Sequence, residues 1–223
     1  MQKTSNSAYD YRAKIIVLGS TCVGKTSMLK CYCNNQYTQG IEMVTLGIDF
    51  RIKKVVVNEK VINLEIWDSS GLERFREITL STLKGLSGVI LTYSILQRDT
   101  FLDLQRYLDD LEDRGFGGVP KVLVGTNIDR DAYDPSNEDQ ELLRVISYDE
   151  AEEFAEKNGM LYFEVSARNG KNIEQPFEGL GGMMVEEWES EKKQNILKES
   201  FMLRNPGNTE HKNKQSKCSS CGP

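Results

Sequence analysis

Hydrophobic and polar positions follow two kinds of pattern along this chain. Short apolar runs rich in β-branched residues predict six strands, at residues 14–19, 46–57, 61–68, 88–94, 121–126 and 160–166. Between them, apolar residues three or four positions apart predict about five helices, at residues 25–35, 73–84, 99–114, 147–158 and 172–198. This alternation predicts an α/β fold with a mostly parallel sheet covered on both faces.

Two places depart from simple alternation. In VVVNEKVINLEI, residues 55–66, a short polar turn joins two strand-like runs, which predicts a hairpin and one antiparallel strand. The last helix contains Gly179, Gly181 and Gly182, each costing about 0.8–1 kcal/mol relative to alanine. We therefore expect its middle to depend on packing of its apolar side chains, which are Leu180, Met183, Met184 and Trp188.

Composition limits the class of protein. A chain of 223 residues, 39% hydrophobic, can bury one sizeable core, and we expect one domain over residues 8–190 with a flexible tail over 191–223. It shows neither an apolar run near 18 residues nor a signal peptide, and its five cysteines have no regular spacing, so we expect a cytosolic rather than a secreted protein. The net charge of −6 argues against nucleic acid as a partner.

The segment GSTCVGKT, residues 19–26, follows the first predicted strand and opens the first predicted helix. It matches G-x-x-x-x-G-K-[ST], a pattern in which backbone N–H groups turn toward phosphates, the lysine supplies charge and the hydroxyl reaches Mg²⁺. The alternative is a glycine-rich turn that contains a lysine by chance. The candidate phosphate ligands are Gly19, Ser20, Thr21, Cys22, Val23, Gly24, Lys25 and Thr26, of which Lys25 is also a catalytic candidate.

Polar residues near other strands extend this site. Asp68 ends the third predicted strand, where a carboxylate can hold Mg²⁺ through water, and the N–H of Gly71 can reach a γ-phosphate. Thr45, just before LGIDF, could bring its hydroxyl to the same metal. The candidate metal ligands are therefore Thr26, Thr45 and, through water, Asp68.

Two further strand ends indicate the base. In GTNID, residues 125–129, Asp129 can accept both N1–H and N2–H₂ of guanine, a pairing that adenine does not offer. The SAR segment supplies Ser166, the backbone of Ala167 toward the guanine O6, and the stem of Arg168 over the ring. Each pattern is weak alone, but their order along the chain favours a guanine nucleotide.

Together these motifs resemble the Ras-like small GTPases, and within them the Rab branch. The resemblance covers about residues 8–190 and is carried by YDYRAKIIVLG, the phosphate loop, TLGIDF, IWDSSGLERFREIT and EVSAR. It implies a GTP/GDP switch in vesicle traffic whose loops around Thr45 and Gly71 are ordered by Mg²⁺ and the γ-phosphate. It also implies exchange factors, GTPase-activating proteins and effectors at residues 40–52 and 67–84. By the same resemblance, Tyr37 packs on the guanine, and the hydrophobic effector triad falls on Phe50, Trp67 and Thr82, the last normally tyrosine.

Leu72 is the largest departure from the family pattern W-D-T-A-G-Q-E, since it stands where a glutamine orients the attacking water. Leucine has no donor or acceptor, and Thr21, Cys22 and Ser70 also replace smaller family residues around the same reaction. We therefore expect slow or absent GTP hydrolysis. The alternative is drift with a compensating group, for which Glu73 is the nearest candidate.

The base loop departs as well. Thr126 and Asn127 stand in for the first two residues of the family motif N-K-x-D, which predicts weaker nucleotide affinity rather than another base. The stretch at 130–146 is about ten residues longer than a Rab usually has. It is interpreted as a solvated acidic loop, with a docking element as the alternative.

The C-terminus is polar, mildly basic, and ends CSSCGP. Cys218 and Cys221 after a basic linker resemble the prenylation site of Rabs, which predicts a lipid-anchored protein on the cytoplasmic face of an intracellular membrane with a cytosolic pool. A redox pair or half a zinc site are the alternatives, and the tail supplies neither a βαβ frame nor more ligands.

Three functions remain open from the residues. They are a switch that hydrolyses GTP slowly, a membrane scaffold that stays loaded with GTP, and a nucleotide kinase with a phosphate loop. The kinase is disfavoured because it has no use for Asp129 or the SAR segment.

Overall fold

The computed structural model describes residues 8–36, 44–130 and 144–204, with side chains up to residue 197. Within them, six strands form one sheet in the order β2-β3-β1-β4-β5-β6, and β2 alone runs antiparallel to its neighbour. The strands are β1 Tyr11–Leu18, β2 Ile48–Val57, β3 Lys60–Ser69, β4 Gly88–Ser94, β5 Lys121–Thr126 and β6 Leu161–Glu164. The predicted fold class and the predicted hairpin are therefore confirmed.

The helices of the described residues lie between these strands. They are α1 Lys25–Asn34, α2 Arg76–Ser81, α3 Arg98–Leu102, α4 Leu104–Asp113, α5 Tyr148–Lys157 and α6 Gln175–Arg204. Single 3-10 turns cover Glu73–Phe75 and Ile128–Arg130. The helix predicted at 99–114 is interrupted at Asp103, and the one predicted at 73–84 is shorter. Among the described helices, none combines the length and apolar character needed to cross a membrane.

The sheet places the site because β1 lies between β3 on one side and β4 on the other. The order of the strands reverses at β1, since the later strands are added on both of its sides. At such a switch point a crevice opens at the carboxyl ends of the strands. Strand β4 is buried at every position, and Ile15, Ile16 and Val17 of β1 are also shielded from solvent. Strands buried on both faces form a rigid frame for the loops that follow them.

The last helix, whose middle is expected to depend on packing, is continuous over Gln175–Arg204, and Leu180 and Met184 within it are buried. A β-carbon at Gly179 would lie 2.7 Å from the ring of Phe163, and one at Gly181 would lie 2.9 Å from Val57. The two glycines thus allow close approach of the helix to the sheet. The packing gained compensates for their low helix propensity.

Two compact units are distinguished, residues 1–186 and 187–223. The first contains the sheet, and the described part of the second, residues 187–204, is helical. The predicted division at residue 190 remains a prediction.

Strand β2 forms one edge of the sheet. Alternate side chains on it are exposed, namely Phe50, Ile52, Lys54 and Val56. Because side chains alternate between faces of a strand, these four form one row on the solvent side.

Candidate functional site

The loop between β1 and α1 has the shape that the sequence predicts for phosphate binding. Gly19 has φ +148°, and a β-carbon there would lie 2.1 Å from the carbonyl oxygen of Thr92, so only glycine fits. Gly24 starts α1 in the left-handed region, φ +92°. Cys22 also has a left-handed backbone, φ +61°, which costs a residue with a β-carbon roughly 1 kcal/mol. The loop therefore keeps its turned form at the cost of strain at Cys22.

Lys25 is buried within this loop, and its Nζ donates to the carbonyl oxygens of Gly19 and Ser20, both at 2.8 Å. Burial lowers the pKa of Lys25 to about 8, although the nearby carboxylate of Asp68 favours the charged form. The group is still mostly charged at neutral pH, and an anion at the loop would raise this pKa again. The lysine is thus placed to respond to a phosphate.

The three candidate metal ligands converge. The hydroxyl of Thr26 donates to Oδ2 of Asp68 at 2.7 Å and lies 2.7 Å from the hydroxyl of Thr45. Oδ1 of Asp68 is buried and has no hydrogen-bond partner among the described residues. Burial raises the pKa of this carboxyl, against the hydrogen bond from Thr26 and the charge of Lys25. Hydroxyl and carboxylate oxygens around an unsatisfied buried oxygen fit Mg²⁺, a hard cation that prefers such ligands.

Gly71 packs directly on the phosphate loop. A β-carbon at this residue would lie 2.3 Å from both the carbonyl carbon of Ser20 and the nitrogen of Thr21. The N–H of the preceding Ser70 donates to the carbonyl oxygen of Gly47 at 2.9 Å, which ties this segment to the start of β2. The segment after β3 therefore touches both the phosphate loop and the residues after Thr45.

Leu72 follows at the start of the 3-10 turn. It lines a cleft with Leu80, Arg106 and Tyr107, and its N–H donates to the Ser70 hydroxyl at 3.3 Å. Glu73, the suggested compensating group, instead forms an ion pair with Arg106 on α4. Neither residue presents a free polar group to the phosphate loop in this arrangement.

Five of the predicted base residues line one small cavity, namely Thr126, Asn127, Asp129, Ala167 and Arg168. Oδ1 of Asp129 accepts from the Ser166 hydroxyl at 2.7 Å, and Nη1 of Arg168 lies 3.8 Å from its Oδ2. These contacts fix the carboxylate that is predicted to select the base.

Thr126 and Asn127, the two residues that depart from the family motif, form hydrogen bonds with neighbouring segments. The buried hydroxyl of Thr126 donates to the carbonyl oxygen of Val23 at 2.6 Å. This hydrogen bond joins the base loop to the phosphate loop. Asn127 has φ +69°, and its Oδ1 accepts from the Ser94 hydroxyl at 3.1 Å. Thr126 and Asn127 therefore hold the loop.

The predicted effector surface is partly described. The rings of Phe50 and Trp67 meet edge to face with centroids 5.4 Å apart. Lys14 Nζ lies 4.3 Å from the Trp67 ring centroid and donates to the carbonyl oxygen of Thr82. These contacts bring the three triad positions onto one surface.

Several predicted residues lie outside the described part of the chain. They are Tyr37, most of the 130–146 stretch, residues 40–43 of the effector segment, and the two terminal cysteines Cys218 and Cys221. Their roles stay predictions.

Sequence patterns did not single out the contribution of α4. The Ser20 hydroxyl donates to Oδ2 of Asp103 at 2.7 Å, just before α4. Asp103, Tyr107 and Asp110 are spaced by four and three positions, the helical signal for one shared face. The sequence shows this spacing, but it does not show that Asp103 contacts Ser20 in the phosphate loop.

Comparison with known proteins agrees with this geometry. Residues 14–186 match the Ras family. The chain is 36% identical over 172 residues to the GTP-binding protein YPT1 of Saccharomyces cerevisiae, covering 77% of this chain and 78% of the relative. It is 38% identical over 170 residues to the Ras-related protein Rab-1 of Theileria parva, covering 76% of this chain and 72% of the relative.

Proposed function

Because this chain belongs to the Ras family, as a Rab-type small GTPase, we propose that it is a membrane-traffic switch with unusually slow GTP hydrolysis. In this proposal it binds GTP or GDP together with Mg²⁺. The observation that carries the slow rate is Leu72, an apolar side chain at the position that orients water in the family. The convergence of Thr26, Thr45 and Asp68 supports retained binding of the metal and nucleotide.

Binding of the triphosphate follows from the phosphate loop. The ammonium group of Lys25 exchanges its two carbonyl partners for phosphate oxygens, and N–H groups of the loop and the start of α1 donate to the same anion. Mg²⁺ neutralises charge on the phosphates when it is bound. Thr26 and Thr45 would contact the ion directly, and Asp68 would act through water.

Slow hydrolysis follows from what surrounds the γ-phosphate position. Phosphoryl transfer leaves the protein mainly the work of positioning and electrostatic stabilisation, and Leu72 cannot position water. Glu73 forms an exposed ion pair with Arg106, and this contact draws its carboxylate toward α4, which supports the absence of a substitute for the glutamine. The β-carbons of Thr21 and Cys22 further crowd the approach of a partner's arginine.

Asp129 supports guanine as the base. Its carboxylate accepts from Ser166 through one oxygen and keeps lone pairs on both oxygens for the two donors of guanine. Adenine presents an acceptor at N1 and would leave the carboxylate unmatched. We infer that GTP and GDP compete for this site and that ATP does not.

Membrane attachment through Cys218 and Cys221 completes the proposal. Two lipid chains give the stable anchoring that one chain does not. Exchange factors, GTPase-activating proteins and effectors would dock on residues 40–52 and 67–84.

The deciding experiment is single-turnover GTP hydrolysis by the purified chain with Mg²⁺, compared with Leu72→Gln. We expect the glutamine variant to be faster by about tenfold, which corresponds to about 1.4 kcal/mol of barrier. Leu72→Met is the matched control, because methionine fills a similar volume without a strong donor or acceptor, and its rate should equal that of the parent.

The outcomes separate the candidate functions. A parent as fast as Leu72→Gln would overturn slow hydrolysis and indicate another group that orients water. Parent and glutamine variant both inert, with GTP still bound, would favour the scaffold that stays loaded with GTP. Equal competition by ATP would overturn the guanine assignment.

A further inference from the structure

A groove of about 410 Å³ lies between the end of α1 and the start of α6. Its lining includes Tyr32 and Asn35 on the first side and Asn172, Glu174 and Glu178 on the second. None of the predicted nucleotide or metal ligands is among its described lining residues. Its volume is in the range that small organic ligands occupy.

Tyr32 is held rigidly at the wall of this groove. Its ring stacks on that of Phe177, with centroids 3.6 Å apart and planes 2° from parallel. The ammonium group of Lys53 lies 3.7 Å from the centroid of the Tyr32 ring and donates to the Tyr32 carbonyl oxygen at 2.6 Å. Two groups this close cannot share one face of the ring, so both faces are covered. Tyr32 is only 4% exposed, and its hydroxyl end is therefore the part that is left to face the groove.

The hydroxyl of Tyr32 forms no hydrogen bond with another described residue. Buried polar groups usually have a partner, so a hydroxyl of this kind indicates a place for one. Burial raises the pKa of Tyr32, and Cys33, Glu174 and Glu178 raise it further. The two carboxylates thus lie within electrostatic reach of the hydroxyl.

Glu174 and Glu178 are four positions apart at the start of α6, so they share one face of the helix. Neither carboxylate forms an ion pair with another described residue. The side-chain nitrogen of Asn172 donates to the carbonyl oxygen of Glu164 at 2.9 Å, which leaves its Oδ1 as an acceptor. The groove therefore offers several acceptor oxygens and two negative charges.

These acceptors fit an organic cation better than a metal ion. Within the part of the chain that the structure describes, no group of three His, Cys, Asp or Glu side chains is placed to hold a metal. A primary ammonium group carries three N–H donors and a positive charge, which matches two carboxylates and a hydroxyl. The buried Ile173 also lines the groove and gives an aliphatic chain an apolar contact.

We propose that this groove binds a primary alkylammonium group, supplied by a polyamine or by a lysine side chain. The ammonium group donates to the carboxylates of Glu174 and Glu178 and to the hydroxyl of Tyr32. Its aliphatic chain lies against Ile173. The site does not depend on the nucleotide chemistry, so its success or failure leaves the proposed function untouched.

Nuclear magnetic resonance titration of the full-length chain at low salt tests this. The probes are spermidine and Nα-acetyl-lysine methylamide, and each should shift the amide signals of residues 31–35 and 172–178 in a saturable way. Tetramethylammonium, which has the charge but no N–H donor, should bind at least about fivefold more weakly, the effect of the lost hydrogen bonds.

Three variants locate the site. Glu174→Gln with Glu178→Gln should weaken binding about tenfold, the combined effect of two exposed charge contacts. Tyr32→Phe keeps the stacked ring and should weaken binding about fivefold through loss of one hydrogen bond. Glu153→Gln with Glu156→Gln on α5 changes the net charge equally at exposed positions and should stay within about twofold of the parent.

The two probes distinguish the source of the ammonium group. Spermidine bound tenfold more tightly than the blocked lysine would support a polyamine, and comparable affinities would support a lysine side chain. The absence of a saturable shift with both probes would overturn the proposal. So would equal losses in the α6 and α5 double variants, which indicate general attraction to an acidic surface, or an unchanged affinity in Tyr32→Phe.

Discussion

Substitution of Gly71 by alanine should disable the response to GTP. The added β-carbon would lie 2.3 Å from the backbone of Ser20 and Thr21, whereas ordinary contacts begin near 3.4 Å. The obstacle is backbone on both sides, so no rotamer change relieves it, and the segment must withdraw by about 1 Å. A displacement of that size in a positioned group costs on the order of a hundredfold in rate, or about 2.7 kcal/mol.

The assay needs a measurable starting rate, so hydrolysis is compared in the Leu72→Gln background with and without Gly71→Ala. In the otherwise unchanged chain, affinities for GDP and for a non-hydrolysable GTP analogue are measured together. We expect the analogue to lose affinity and GDP to keep it, because in the proposed binding mode the N–H of Gly71 contacts the γ-phosphate, which GDP lacks. Gly118→Ala is the control, since nothing lies within 4 Å of its added carbon. Unchanged hydrolysis and unchanged analogue affinity in Gly71→Ala would refute this reasoning.

The remaining predictions concern the C-terminal tail and Glu164, the last residue of β6. Cys218→Ser with Cys221→Ser should leave the chain soluble when expressed in cells with prenylation machinery, and fractionation with the parent in membranes would contradict this. Burial raises the pKa of Glu164, but hydrogen bonds from Arg144 and Tyr162 outweigh it and lower that pKa overall. This carboxylate therefore stabilises the fold above its unfolded pKa of about 4.3, and the effect is lost as pH falls through the lower folded value. Glu164→Gln should cost about 1.5 kcal/mol at pH 7, and the Tm difference from the parent should shrink toward pH 3.5; a difference constant with pH would contradict the assignment.

The strands were predictable because each is a short apolar run bounded by turn residues. β4 and β5 match their predicted ranges, and the polar turn before β3 indicated the antiparallel pair. Element ends were less certain, since they depend on tertiary contacts. Helix α6 shows the limit most clearly, because Gly179 and Gly181 weaken a helix in isolation and are required only once Phe163 and Val57 lie beside it.

The candidate site could be predicted where a local motif specifies it. The phosphate loop, Asp68 and Asp129 each carry their chemistry within a few neighbouring residues. The hydroxyl contact of Thr126 with Val23 and the partners of α4 could not be predicted, since they join residues far apart in sequence. Nothing in the pattern of α4 states which loop its charges will meet.

The edge strand β2 carries a consequence for solubility. Its exposed row has Phe50, Ile52 and Val56, with Lys54 as the single charge among these four positions. The edge of a sheet that carries an apolar row is a template on which strands of other molecules can add. Lys54 interrupts that row between Ile52 and Val56, and a charged side chain on an edge strand disfavours such addition. An apolar residue at position 54 would therefore favour self-association of the protein at high concentration, independently of any nucleotide chemistry.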